Sequence, residues 1–357
     1  MKGKVMVGMS GGVDSSVAAL LLLEQGYAVV GATFKLFDDH ELLDGGESKC
    51  CSIDDVNDAR FVCDTLGIPH YVLNYKNLFR HQVVDYFADA YLHGRTPNPC
   101  IACNRHIKFD AFLNKALSMG FGYIATGHYA RITHDSDTGI FSLKKGLDPQ
   151  KDQSYVLYNQ TQYSLAHTLL PLGEYRKSDI RHLAEKNKLV VSHKPDSQDI
   201  CFIPNGDYAT FIEKYTNTNP APGPFIDTNG NPIGQHSGYY HFTIGQRRGL
   251  GVGFGKRKYV VGINPKTNSV TLGDEKDAYC TEIYVTNINY INKEIIPRAI
   301  HCSVKLRYSQ PEQPALLEST ENGDVKLVFP SPQKKVAKGQ SAVFYQGDII
   351  IGGGEVN

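Results

Sequence analysis

The chain reads as an α/β protein: a doubly wound, Rossmann-like parallel sheet, then a small central domain, then a C-terminal antiparallel β-barrel. Three observations predict this. Up to about Ile203, short apolar runs alternate with segments of helical periodicity, the pattern of a parallel sheet with crossover helices. A glycine-rich turn, Met9 to Gly12, ends the first apolar run, where an open α/β sheet places its ligand. Near the C-terminus, short segments with alternating polarity are spaced like strands of a small barrel.

The elements follow in order. Lys4 to Met9 is a short buried strand, and Val13 to Gln25 carries Val17, Leu20, Leu21 and Leu23 at helical spacing before Gly26 stops it. Tyr27 to Phe34 is a second apolar strand. Ser52 with Asp55 resembles a capping box. Val56, Ala59, Cys63 and Leu66 then recur on one helical face up to Gly67 and Pro69. His70 to Asn74 is a strand, about Arg105 to Ser118 a helix, and Tyr123 to Thr126 a further strand. From Pro204 to Arg257 the composition turns to Gly, Pro and Asn, which predicts a loop-rich second domain. Val304 to Tyr308, Val325 to Phe329, Ser341 to Tyr345 and Ile349 to Ile351 are predicted barrel strands. The expected domains are 1–203, 204–280 and 281–357.

Composition narrows the function. The chain has 357 residues, 41% hydrophobic and 21% charged, which is ordinary globular composition and long enough for more than one core. Its 37 basic and 37 acidic residues cancel, so nucleic acid would be met by local clusters such as Arg247–Arg248, Lys256 to Lys258 and Lys334–Lys335 rather than by a global field. The longest apolar run, Val17 to Leu23, falls short of the roughly 20 residues of a membrane helix, and Val5 to Val7 is too short for a signal-peptide core. Eight cysteines in such a chain imply reduced thiols and a soluble, cytoplasmic protein with no membrane partner. His93, His134, His167, His182 and His301 form no metal-ligand pattern.

Gly8, Met9, Ser10, Gly11, Gly12, Val13, Asp14 and Ser15 span the first strand-to-helix turn. Backbone N–H groups and the positive end of a helix face an anion there, which makes the turn a phosphate cradle. It lacks the lysine of a Walker loop and the acidic second-strand end of a dinucleotide fold. Asp14 would repel a phosphate unless a cation, normally Mg2+, stood between them. The bland alternative is a tight turn with Asp14 and Ser15 as ordinary helix-start residues. Further along, prolines lead into Cys100, Ile101, Ala102 and Cys103. Cys103, at the start of the predicted helix and beside Arg105, His106 and Lys108, has the setting of a thiolate nucleophile. Cys201, between Ile200 and Phe202, reads by itself as a packed core thiol, as does Cys63. Cys50 and Cys51 read as loop thiols. Cys280 and Cys302 have no evident role.

The run Ser-Gly-Gly-Val-Asp-Ser-Ser resembles the pyrophosphate loop of ATP pyrophosphatases. Taken with Asn98 to Phe109, Ala125 to Tyr129, Lys151 to Ser154, Asp196 to Ile203, His241 to Gly251 and Gly339 to Tyr345, the chain resembles the bacterial tRNA-specific 2-thiouridylases over nearly its whole length. The resemblance implies an adenine nucleotide alpha hydrolase type of first domain, ATP as substrate, and the wobble uridine of tRNAs for Lys, Glu and Gln. A sulfur-relay protein or cysteine desulfurase is the implied donor. It further implies Cys103 as nucleophile, Cys201 as persulfide carrier, and Phe34 and Gly127 as ATP contacts. Asn98, Pro99 and Cys100 would surround the target base, with tRNA contacts from His128, Lys151, Asp152, Gln153, Arg307, Tyr308 and Gln340. Cys100 departs from the commonest family residue, aspartate. Two readings follow: Cys100, Cys103 and Cys201 hold a [4Fe-4S] cluster with one iron open, or Cys100 is a tolerated neighbour of the nucleophile. A nitrogen-adding ligase of the same loop group is a rival that needs neither Cys103 nor Cys201.

Overall fold

The computed structural model describes residues 2–37, 53–196, 200–203, 206–251, 253, 255–292 and 298–357. The capping box at Ser52 and the loop thiols Cys50 and Cys51 lie outside them. Five parallel strands form the first sheet: β1 (Lys4–Gly8), β2 (Ala28–Lys35), β3 (His70–Asn74), β4 (Tyr123–Ala125) and, later in the chain, the two-residue strand Thr168–Leu169. The order is β3-β2-β1-β4 followed by Thr168–Leu169, and the pairings are parallel. Strand order reverses between β1 and β4, so their carboxyl ends flank a crevice.

Alternation along β1 sends Met6 to one face and Val5 and Val7 to the other, and all three are fully buried. Val5 and Val7 meet α1 (Val13–Glu24), α2 (Ile53–Leu66) and the helix Lys177–Lys186 through Val17, Leu21, Ala59, Cys63, Ile180 and Ala184. Met6 belongs to a second core with Phe34, Phe87, Ile107, Phe112 and Ile124. Helices on both faces make the sheet doubly wound, as its sequence predicts.

The helix predicted from about Arg105 begins earlier. Pro99–Cys103 is already helical, with Asn98 as its N-cap and Pro99 in the first turn, and it continues as a π-helical stretch Asn104–Ala111 into Phe112–Ser118. Asn98 accepts from the N–H groups of Cys100 (3.1 Å) and Ile101 (3.4 Å), and Pro99 loses nothing because N1 has no intrahelical acceptor. Cys103 is therefore a full turn inside the helix, and Cys100 takes the first turn.

The central region is more regular than its composition suggests. It holds the helix Tyr208–Thr216 and a four-stranded sheet built from Gly223–Ile226, Pro232–His236, Tyr259–Asn264 and Ser269–Gly273. Phe225, Phe242, Val260, Val270 and Leu272 form its core.

Six C-terminal strands, Tyr279–Tyr290, Ala299–Lys305, Gln313–Ser319, Val325–Lys334, Ser341–Gln346 and Ile349–Val356, form an antiparallel sheet. Pairing of Tyr279–Tyr290 with Ile349–Val356 closes it into a barrel. The predicted strand Val304 to Tyr308 is displaced: it ends at Lys305 and leaves Arg307 and Tyr308 in a turn. One feature has no counterpart in the sequence reading. The hairpin Ala130–His134 and Phe141–Lys145 leaves the first sheet and extends the barrel sheet beside Ile349–Val356. Val343, Tyr345 and Ile350 of the barrel share a core with Phe112 and Ile124, so the barrel is fastened to the sheet. Among the described residues no helix is long and apolar enough to cross a membrane.

The hairpin comes so close to the turn Pro171–Glu174 that a Cβ on Gly173 would lie 2.0 Å from the Ala130 carbonyl oxygen. Backbone cannot yield as a side-chain tip can. Gly173→Ala is expected to destabilise the fold by about 1–3 kcal/mol, read as a lowered midpoint in thermal or urea unfolding.

Candidate active site

The turn after β1 is shaped by contact. Gly11 has φ +71° and its Cβ position lies 2.4 Å from the Asp55 carbonyl oxygen in α2, so only glycine fits this left-handed, crowded position. Gly12 is the extended N-cap of α1 and carries no side-chain cap. Serines brace the turn: Ser15 Oγ accepts from Ser10 N–H (3.1 Å) and donates to Gly12 O (3.2 Å), and Ser16 Oγ donates to Gly12 O (2.8 Å). An uncapped start on a 12-residue helix suits a phosphate, which satisfies the first-turn N–H groups and meets the positive end of the dipole.

Phe34, at the end of β2, is nearly buried and stacks edge-on against Phe112 at 4.8 Å. Its ring tip lies 3.3 Å from the Cβ position of Gly8. Gly127, after β4, would bring a Cβ to 2.8 Å from the backbone of Asp14 and Ser15. The two flanks of the crevice thus meet at the loop, which brings Gly8 to Ser15, Phe34 and Gly127 together.

Asp14 differs from its expected role. Its carboxylate accepts from Lys177 Nζ at 2.7 and 2.8 Å and from the Tyr129 hydroxyl at 2.7 Å. The neutralising cation is a lysine of the fold, and both oxygens are engaged, so this carboxylate does not fit the part of a magnesium ligand. Lys177 also pairs with Asp196 at 2.8 Å, which Lys151 (2.8 Å) and Arg181 (2.9 Å) contact as well. Burial works to raise the Asp196 pKa, but Lys151 and Lys177 outweigh it and hold the group at about 2. Tyr129 and Asp196 bound segments that the family resemblance singles out, but nothing in their local sequence pairs them with Lys177. One signal was available: Arg176 and Lys177 are cations at a helix start, against the dipole, which calls for a carboxylate partner elsewhere.

The thiols divide clearly. Burial pushes Cys63 and Cys302 up to about 11 and also raises Cys280, which disfavours the thiolate at all three. Cys100 is exposed, while Cys103 and Cys201 are half-buried and pack against the same core. Cys201 is carried there by Phe202, which sits among Phe79, Phe87 and Phe211. Among the described residues no group of three or more His, Cys, Asp or Glu side chains is placed to hold a metal ion. Cys100, Cys103 and Cys201 therefore do not form the ligand set that the cluster reading requires.

The expected RNA contacts are mixed. Tyr308 is exposed and its ring meets that of Tyr155 edge-on, and burial, then the charges of Asp152 and Cys100, raises its pKa. Arg307 instead donates to the Lys335 carbonyl (3.2 Å). Gln340 donates to Thr96 O (2.7 Å) and Thr96 N–H to Lys338 O (2.7 Å), tying the barrel to the Cys100 segment. Asp152 accepts from Gly146 N–H (3.0 Å) and Ser154 Oγ (2.8 Å), and Gln153 accepts from Tyr129 N–H (3.0 Å). Burial, then Lys108, holds His128 neutral, with its Nδ1 2.7 Å from Thr126 Oγ1. A cavity of about 140 Å³ opens beside the thiol helix, lined by Asn98, Ile101, Arg105, Tyr158 and Glu355 among others.

Fold and site define a class: a doubly wound α/β protein with an uncapped glycine turn at its strand reversal and a separate helix bearing two cysteines, with two small β domains attached. The tRNA methyl transferase HUP domain model matches residues 3–205, the tRNA methyl transferase PRC-barrel domain model 209–274 and the aminomethyltransferase beta-barrel domain model 280–356. The chain is 52% identical to the tRNA-specific 2-thiouridylase MnmA of Acetivibrio thermocellus, over 99% of both chains. It is 51% identical to the protein of that name from Carboxydothermus hydrogenoformans, over 99% of this chain and 97% of the relative. The chain belongs to the tRNA-specific 2-thiouridylase family.

A pH dependence follows from Asp196. Its pKa is depressed from 3.8 to about 2, so its contribution to stability is fully present above 3.8 and is lost as pH falls through about 2. Asp196→Asn is expected to lower the thermal midpoint at neutral pH, and its difference from the wild type should shrink as pH falls across that window.

Proposed function

We propose that the chain is an ATP-dependent tRNA uridine 2-sulfurtransferase, acting on the wobble uridine of tRNAs for Lys, Glu and Gln. The uridine C2 oxygen attacks the α-phosphorus of ATP and expels pyrophosphate, whose charge is met by the open start of α1, while Lys177 cancels the opposing charge of Asp14. C2 now carries AMP as a leaving group. The terminal sulfur of a Cys201 persulfide attacks C2, and AMP departs with the bridging oxygen. The Cys103 thiolate attacks the Cys201 sulfur and breaks the S–S bond, leaving 2-thiouridine and a Cys103–Cys201 disulfide that an external thiol reduces.

The observation that carries this reading is that Cys103 and Cys201, 98 positions apart in sequence, pack against one core. The relatives' name agrees with it. A nitrogen-adding ligase would need neither thiol. The cavity beside Asn98 receives the uracil ring, with Cys100 a tolerated neighbour and Tyr308 available to the RNA. Residues 1–203 form the catalytic domain, 204–280 the central domain and 281–357 the barrel that contacts tRNA. A sulfur-relay protein or cysteine desulfurase loads Cys201, in the cytoplasm.

The test is nucleoside mass spectrometry of tRNA after incubation with ATP and a persulfide donor. Cys103→Ser and Cys201→Ser should each abolish 2-thiouridine, whereas tRNA binding stays within about twofold because little surface is lost. Cys100→Asp should retain activity in iron-free protein. Wild-type thiolation by the Cys201 variant would overturn the carrier role.

A further inference from the structure

We propose that Lys194 and Asp196 are positioning residues: a two-sided ionic anchor that fastens the chain leading to Cys201 onto the nucleotide loop, so that sulfur transfer stays coupled to adenylation. The proposal rests on the reading of Cys201 as sulfur carrier.

The anchor grips both flanks of the loop. On one, Lys194 Nζ pairs with Asp55 (2.7 Å) and Asp58 (2.6 Å) of α2, and Asp55 is the residue whose backbone presses on Gly11. On the other, Asp196 pairs with Lys177, the lysine that also holds Asp14, and with Lys151 and Arg181. Arg181 additionally donates to the carbonyls of Ser192 and Lys194, at 3.3 Å each. Pro195, between the two charged residues, restricts the backbone.

Exposed ion pairs contribute little to stability, so four cations and four carboxylates from several elements, gathered around one short segment, need another explanation. Lys177 and Asp55 are only 11% and 9% exposed, and removing a partner leaves a desolvated charge. Such groups specify geometry more than they add stability. Cys201 lies five residues after Asp196, so full extension allows about 18 Å at most between their Cα atoms. Fixing Asp196 to the partner of Asp14 therefore limits how far the sulfur can stray from the site where AMP is attached to the uridine.

A loosened anchor has a defined chemical consequence. The adenylated uridine waits longer for sulfur, and water attacks C2 instead. AMP leaves with the bridging oxygen, uridine regains its C2 carbonyl from the water oxygen, and the released proton goes to solvent. ATP is consumed without thiolation.

The experiment measures AMP and 2-thiouridine in the same reaction, with full-length protein, tRNA, ATP and a persulfide donor. Asp196→Asn and Lys194→Gln should raise the AMP to thiouridine ratio by about tenfold or more, with the KM for tRNA near that of wild type. Lys194→Arg should restore the wild-type ratio. Lys194 is 31% exposed and Lys194→Arg keeps a cation beside Asp55 and Asp58, so comparing Lys194→Gln with Lys194→Arg tests the anchor where Asp196→Asn is too damaging to study. If both products fall together at an unchanged ratio, these residues are merely structural and the proposal is overturned. If wild-type protein releases AMP but makes no thiouridine, the sulfurtransferase reading itself fails, and the anchor with it.

Discussion

A carboxylate at the mouth of a phosphate cradle must be neutralised, and most of this site is arranged around that requirement. Asp14 occupies the first turn of α1, where a negative side chain suits the dipole but opposes an incoming polyphosphate. Lys177 resolves the conflict from another helix, with Tyr129 completing the shell. Because Lys177 is itself nearly buried and shared with Asp196, the charge balance extends beyond the loop. It reaches Lys151, Arg181 and the segment before Cys201.

Close backbone approach is the second constraint. Gly11 against Asp55 and Gly127 against Asp14 and Ser15 leave no room for a Cβ, so α2 and the β4 end sit directly on the phosphate turn. These contacts close the crevice at the strand reversal and aim the start of α1 outward. The result is a closely packed turn at the uncapped start of α1, braced by the side chains of Ser15 and Ser16.

The thiol segment is held by a different logic. Asn98 caps its helix, Pro99 enters it, and Thr96 just upstream is tied to Lys338 and Gln340 of the barrel. Several residues expected at an RNA surface bond nearby backbone instead: Gln153 to Tyr129, Arg307 to Lys335, and Gln340 to Thr96 of the thiol segment. Through Lys338 and Gln340 the barrel fixes the entry of the helix that carries Cys100 and Cys103.

The sequence by itself determined the doubly wound sheet, the position of the phosphate turn, and the thiol segments. These are local patterns: strand, glycine and helix periods within some twenty residues, and a short run of prolines and cysteines. What it missed was non-local. The Lys177–Asp14 and Lys194–Asp55 pairs join residues separated by 163 and 139 positions, and charged residues of this kind look in sequence like any solvated face. The hairpin Ala130–His134 with Phe141–Lys145 reads as part of the first domain, because nothing in its own residues says which sheet it joins. The helix start at Pro99 was hidden by two prolines that suggest extended chain until Asn98 is seen to cap it. Periodicity decides which elements form; only tertiary packing decides which charges and thiols meet, because those partners come from segments with no sequence relation to one another.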